Sequence, residues 1–211
     1  MVKITVDDSG IEAEEGSSLL QTCLENDIYI PNLCFLPAMK NPPAACRMCF
    51  VEMEGENRPV TSCTVKVKEG MVVKTDTARV RHLQRTAFQL LMSVHDVDCG
   101  NCHANKKCEL QRIAKFLKVG LKPGKLERYL KAVDEEAGHP LLNYYPNRCV
   151  LCGKCIFVCK EKHGQAAMTF AKRGFDTIIS FYGRTDAMTF PCKTCRACVE
   201  VCPVGAISLK Q

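Results

Sequence analysis

The sequence predicts an α+β chain built from small modules in series, each organised around a group of cysteines. Three observations carry that reading. Short apolar alternations open the chain, where MVKITV, DDSG and IEAE follow one another. Between residues 75 and 94 the apolar positions change to helical spacing. The 16 cysteines among 211 residues fall into groups, and the last eight repeat one spacing twice.

The first module covers residues 1–75. MVKITV alternates as a strand, DDSG turns the chain, and IEAE returns as a second strand. Ser17 or Ser18 caps a short helix, SLLQTCLEND, and FVEMEG and VTSCTV supply later extended segments. This reads as a β-grasp domain. Its cysteines are Cys34, Cys46, Cys49 and Cys63, spaced C-x11-C-x2-C-x13-C. The plant-type [2Fe–2S] spacing is C-x4-C-x2-C…C. The first gap here is longer, but the order of loop, C-x2-C and strand is the same. A structural zinc site is the alternative. Cys23 is left over beside Leu19 and Leu20, and reads as a small buried hydrophobe.

A second module covers residues 76–120. Val80, Leu83, Ala87, Leu90 and Leu91 mark one helix over Thr75–Val94, with Thr75 or Asp76 as its cap. It leads into VHDVDCGNCHANKKC, which holds Cys99, Cys102 and Cys108 but no fourth cysteine. His95 and His103 are the candidates to complete a four-ligand site. His103 follows Cys102 directly, so its ring would have to double back. His95 arrives from a helix end, with three residues of slack before Cys99. ELQRIAKFLKVG then reads as a second helix ended by Gly120. Residues 121–145 read as a connector without a core of its own, rich in Pro and Gly.

The last module covers residues 146–211. RCVLCGKCIFVCK carries C-x2-C-x2-C-x3-C at Cys149, Cys152, Cys155 and Cys159. PCKTCRACVEVCPVGAI repeats it at Cys192, Cys195, Cys198 and Cys202. This is the run of bacterial two-cluster ferredoxins, in which the fourth cysteine of each run serves the other cluster. One [4Fe–4S] site is therefore Cys149, Cys152, Cys155 and Cys202, and the other is Cys192, Cys195, Cys198 and Cys159. A zinc ribbon uses two C-x2-C pairs, not two four-cysteine runs. Lys160 stands where a proline often follows the fourth cysteine.

Other function classes have little support. The amino terminus lacks a signal-peptide pattern, and no run of about 18 apolar residues occurs, so no membrane insertion is expected. A cytoplasmic chain keeps its thiols reduced, which favours metal over disulfides. No G-x-G-x-x-G fingerprint appears, so no flavin or nicotinamide site is expected on this chain. No nucleophile–base pair stands out. His82, His103, His139 and His163 read as surface or loop polar residues, and no catalytic residue is assigned.

Three motifs in order resemble one family. IPNLCFLPAMKNPPAACRMCFVEMEG resembles the amino-terminal [2Fe–2S] domain of the large iron–sulfur subunit of respiratory complex I. HDVDCGNCHANKKCELQ resembles the [4Fe–4S] motif of one histidine and three cysteines that follows it there. The two ferredoxin runs complete a likeness to the small iron–sulfur diaphorase subunit of NAD(P)-linked hydrogenases, an arrangement shared by modular iron-only hydrogenases. Ala44 and Ala45 stand where the family often has glycine, and Asn101, Asn105 and Lys106 vary within the histidine motif. The short distance from Cys202 to Gln211 favours the diaphorase subunit.

The resemblance implies one [2Fe–2S] and three [4Fe–4S] clusters, with His95 beside Cys99, Cys102 and Cys108 as the histidine ligand. It implies a non-catalytic electron-transfer subunit. The expected partners are a flavoprotein that oxidises NAD(P)H and a hydrogenase or other low-potential catalytic subunit. A free-standing polycluster ferredoxin is the alternative. The formal charge of +6 then loses its suggestion of nucleic acid. Lys and Arg are scattered, and the clusters with their thiolates contribute roughly −7.

Overall fold

The computed structural model describes residues 1–122, 124, 126–132, 139–182 and 192–210. They form two compact units, Met1–Phe88 and Gln89–Gln211.

The first unit is a mixed five-stranded sheet with a helix. Strands β1 (Val2–Val6) and β2 (Ser9–Ala13) form a hairpin. Its two-residue turn puts both Asp7 (φ 47°) and Asp8 (φ 71°) in the left-handed region, as the twist of a tight hairpin demands. Further along come β3 (Phe50–Met53), β4 (Val60–Thr61) and β5 (Val72–Lys74). The sheet order is β2-β1-β5-β3-β4, with β1 and β5 parallel. Alternation sends Val2, Ile4 and Val6 inward, where they meet Leu19, Leu20 and Cys23 of helix α1 (Leu19–Glu25). Each such aliphatic side chain contributes about 1.5–3 kcal/mol on burial. Cys23 is fully buried in this core, and burial pushes its thiol up to about 12. Ser18 occupies the N-cap position of α1, but its hydroxyl makes no capping bond.

Helix α2 (Ala78–Ser93) is shorter than the sequence suggests. Its cap is Thr77, whose hydroxyl accepts the Val80 N–H at 3.1 Å. Thr75 is committed elsewhere, its N–H reaching Asp7 Oδ1 at 2.7 Å. The buried positions are Val80, Gln84, Phe88 and Met92, while Leu90 is exposed, so the inward face is rotated from the one the apolar residues marked.

In the second unit, α3 (Glu109–Leu117) buries Leu110, Ile113, Ala114 and Leu117. It stops at Lys118, which turns left-handed (φ 54°), two residues before the expected Gly120. Strand β6 (Leu142–Tyr144) lies inside the stretch read as a coreless connector. It pairs antiparallel with β9 (Ile207–Leu209). Between them come α4 (Lys154–His163), the hairpin of β7 (Met168–Ala171) and β8 (Ile178–Phe181), and the short helices α5 (Cys192–Cys195) and α6 (Ala197–Glu200). Tyr144, Met168, Ile179, Phe181 and Ile207 form the core. His139 is buried against the Phe181 ring, 5.3 Å between centroids, rather than lying on the surface. Among the described residues no helix is long and apolar enough to cross a membrane.

Candidate metal centres

The loop before β3 gathers four buried thiols. Cys34 Sγ lies 3.4 Å from Cys46 Sγ. That thiol–thiol bond is the main reason Cys46 falls to about 6, helped by main-chain N–H groups of Met48, Cys34 and Leu33 and opposed by burial. Cys34 rises correspondingly, first through the same bond and then through burial. Cys49 and Cys63 form a matching pair: their shared bond lowers Cys49 and raises Cys63. Ser62 locks the turn, both its N–H and its hydroxyl reaching the Cys49 carbonyl at 2.9 Å. Ala44 (φ 49°) and Arg47 (φ 52°) are left-handed, a conformation that costs a non-glycine residue roughly 1–2 kcal/mol. Arg47 stacks its guanidinium over the Phe50 ring at 4.9 Å.

The His95 loop begins where α2 ends. His95 N–H still bonds the Met92 carbonyl at 3.3 Å, so the ring leaves from the last helical turn. His95, Cys99, Cys102 and Cys108 line one open cavity. His95 Nδ1 is sealed from solvent with no hydrogen-bond partner, and burial pushes the ring down to about 4. It is therefore neutral at pH 7, the form that ligates metals. An orphaned ring nitrogen costs stability unless something pairs with it. His103 is exposed and is not among the residues lining this cavity. The loop is tied by Gln111, which accepts the Lys106 N–H at 2.8 Å and donates to Asn105 at 2.9 Å.

The two tail runs cross. An open cavity is lined by Cys149, Cys152 and Cys155 of the first run and Cys202 of the second. The cause is the β6–β9 pairing, which sets the segment before Cys149 beside the segment after Cys202; Tyr145 N–H bonds the Ala206 carbonyl at 2.9 Å. Cys159, in turn, neighbours Cys192 and Cys198. Both thiols are raised by burial first, and then by facing Cys159 and the rest of the second run. Gly153 (φ 73°) and Arg196 (φ 50°) hold equivalent positions, each following the second cysteine of its run, and both are left-handed. Main-chain donors reach the sulfurs: Leu151 N–H to Cys149 at 3.4 Å and Ala167 N–H to Cys159 at 3.3 Å.

Among the described residues no three His, Cys, Asp or Glu side chains converge as for a single metal ion. A zinc ion needs its ligand atoms about 2.0–2.3 Å from one point. The three thiols and one imidazole of the first cavity and the four thiols of the second are donor sets that suit iron–sulfur clusters.

Comparison with known proteins agrees. Residues 1–78 match the family model of a 2Fe-2S iron-sulfur cluster binding domain. Residues 84–121 match the NADH-ubiquinone oxidoreductase-G iron-sulfur binding region, and residues 139–208 the ferredoxin-like domain of NADH-quinone oxidoreductase subunit 3. The NADP-reducing hydrogenase subunit HndD of Solidesulfovibrio fructosivorans is 32% identical over 98% of this chain and 36% of its own length. The alpha subunit of an NADPH-Fe(3+) oxidoreductase of Geobacter sulfurreducens is 34% identical over 100% of this chain and 24% of its own length. A chain in the crystal structure of an NAD+-reducing [NiFe]-hydrogenase superposes with a TM-score of 0.84 at 27% identity, covering 99% of this chain and 87% of that one. Module by module the chain is similar to iron–sulfur subunits of NADH-quinone oxidoreductases and NAD(P)-linked hydrogenases. It spans 24% to 36% of the length of the two curated relatives named above. By these matches the chain has a 2Fe-2S domain followed by 4Fe-4S-binding regions.

Two side chains beside the thiols carry no mark in the sequence. His163 Nε2 lies 3.3 Å from Cys195 Sγ. The buried Tyr144 hydroxyl is close enough to the Cys149 thiol to lower it against its burial. The alternating apolar residues of LLNYY were the available sign of β6; nothing local marked His163.

Proposed function

We propose that this chain carries electrons between a flavoprotein subunit that oxidises NAD(P)H and a hydrogenase or other low-potential catalytic subunit, in a cytoplasmic complex. What supports the reading is that His95, with its sealed and unpartnered ring nitrogen, lines one cavity with Cys99, Cys102 and Cys108, and that Cys149, Cys152, Cys155 and Cys202 line another. In this reading Cys34, Cys46, Cys49 and Cys63 of a β-grasp domain hold one [2Fe–2S] cluster, each close thiol pair taking one iron. His95, Cys99, Cys102 and Cys108 hold a [4Fe–4S] cluster, as do the two crossed sets. The modules are 1–75, 76–120 and 146–211, and within the connector over 121–145 strand β6 joins the last module through its pairing with β9.

An iron–sulfur cluster, when bound, supplies one-electron redox chemistry that no side chain offers. The chain's own residues do the rest. The lowered thiols Cys46 and Cys49 give up protons readily, which metal ligation requires. Main-chain N–H groups donate to the sulfurs and so favour added negative charge. The apolar walls, such as Ile179 and Ile207 beside the Cys149 set, exclude water.

Anaerobic purification of the tagged chain from its native cells tests the reading. Co-elution with a flavin-containing subunit, and bleaching of the chain's visible absorbance by NADH or NADPH in that fraction, is the expected result. Elution alone near 23.5 kDa with all its iron would overturn it in favour of a free carrier.

A further inference from the structure

Gly205 stands where the two [4Fe–4S] sites of the His95 loop and the first ferredoxin run come together. Its backbone is not left-handed, so conformation does not demand glycine there. Space does. A Cβ built on Gly205 collides with Cys102 Sγ, and stands 3.4 Å from Ala104 Cβ and 3.5 Å from His103 Cε1. Gly205 lines the cavity of His95, Cys99, Cys102 and Cys108. Its neighbours Val204 and Ala206 line the cavity of Cys149, Cys152, Cys155 and Cys202. One strip of main chain is thus the wall of both.

Two main-chain hydrogen bonds clamp the same junction. Asp96, next to His95, donates its N–H to the Asn147 carbonyl at 2.7 Å, two residues before Cys149. Glu109, next to Cys108, donates to the Pro203 carbonyl at 2.9 Å, one residue after Cys202. Arg148 adds a third link: it precedes Cys149, lines the His95 cavity and lies 4.0 Å from Asp98.

We propose that Gly205 is a positioning residue for the His95 site: its missing side chain seats the 203–206 segment against Cys102, so that the two cavities are built as one unit. This rests on the iron–sulfur reading above. It has an unexpected consequence. A methyl group added in the second ferredoxin run damages the histidine-motif site, about a hundred residues away in sequence, before the site its own run helps to form. Cys102 cannot retreat freely, because its N–H bonds the Cys99 carbonyl at 3.3 Å and its carbonyl takes the Asn105 N–H at 3.0 Å.

The test is Gly205→Ala in the full chain, assembled anaerobically, with iron analysis and EPR of the reduced protein. Gly120→Ala is the control, since a Cβ there meets nothing within 4 Å and the backbone is not left-handed. The expected result is loss of about four irons from about 14, with the spectrum of the His95 site gone or broadened and the other signals kept. Circular dichroism and those remaining signals report whether the chain folds. Full iron with an unchanged spectrum contradicts the proposal, and so does an even loss of iron from every site. A wild-type chain lacking the His95-site signal would instead sink the iron–sulfur reading itself.

Discussion

The Tyr144 hydroxyl accepts the main-chain N–H of Ile179 at 2.9 Å. That bond fixes the phenol in the core beside the Cys149 thiol, which the hydroxyl lowers against its burial. Burial raises the phenol far out of its ordinary range, so it stays protonated and remains a donor. A donor to a ligand sulfur stabilises the more negative, reduced state. Tyr144→Phe keeps the ring and removes the donor. The potential of the cluster at Cys149 should fall by on the order of 50 mV, since a hydrogen bond to a charged group is worth about 1.5–3 kcal/mol and only part of that differs between redox states. A redox titration followed by EPR measures it. An unchanged potential in a fully loaded variant would show that the hydroxyl does not act on the cluster.

Cys159→Ala should remove the cluster shared with Cys192, Cys195 and Cys198, and spare the one at Cys149. Cys202→Ala should do the reverse. Each variant should lose about four irons. Mössbauer and EPR spectra of the two variants decide between crossed and uncrossed pairing. Damage confined to each cysteine's own run would reject the crossing.

His95→Ala should cost the histidine-motif cluster, again about four irons, while His103→Ala should leave it intact. His95→Cys should keep the iron and lower the potential, because a thiolate adds negative charge where the neutral imidazole has none, as the comparison of histidine- and cysteine-ligated centres suggests. A His95→Ala protein with a full cluster and an unchanged spectrum would make the histidine a bystander.

Much of this was legible in the sequence because ligand spacing is a local property. A loop of C-x2-C-x2-C wraps one group whatever surrounds it, and MVKITV alternates because β1 has one buried face. The misses have a common cause in longer-range structure. Leu90 looked like a core residue of α2, yet Gln84 takes an inward position because its amide reaches the Phe50 carbonyl at 3.3 Å. Gly120 looked like the stop of α3, yet Lys118 makes the left-handed turn. Tyr144 and Gly205 gain their roles only through the β6–β9 pairing and the close packing on Cys102, which no window of neighbouring residues contains.

If four iron–sulfur clusters fill this chain, anaerobic determination of iron, acid-labile sulfide and zinc per chain gives about 14 iron and about 14 sulfide, with no stoichiometric zinc. Fewer than about eight irons per chain, with zinc making up the difference, would contradict it.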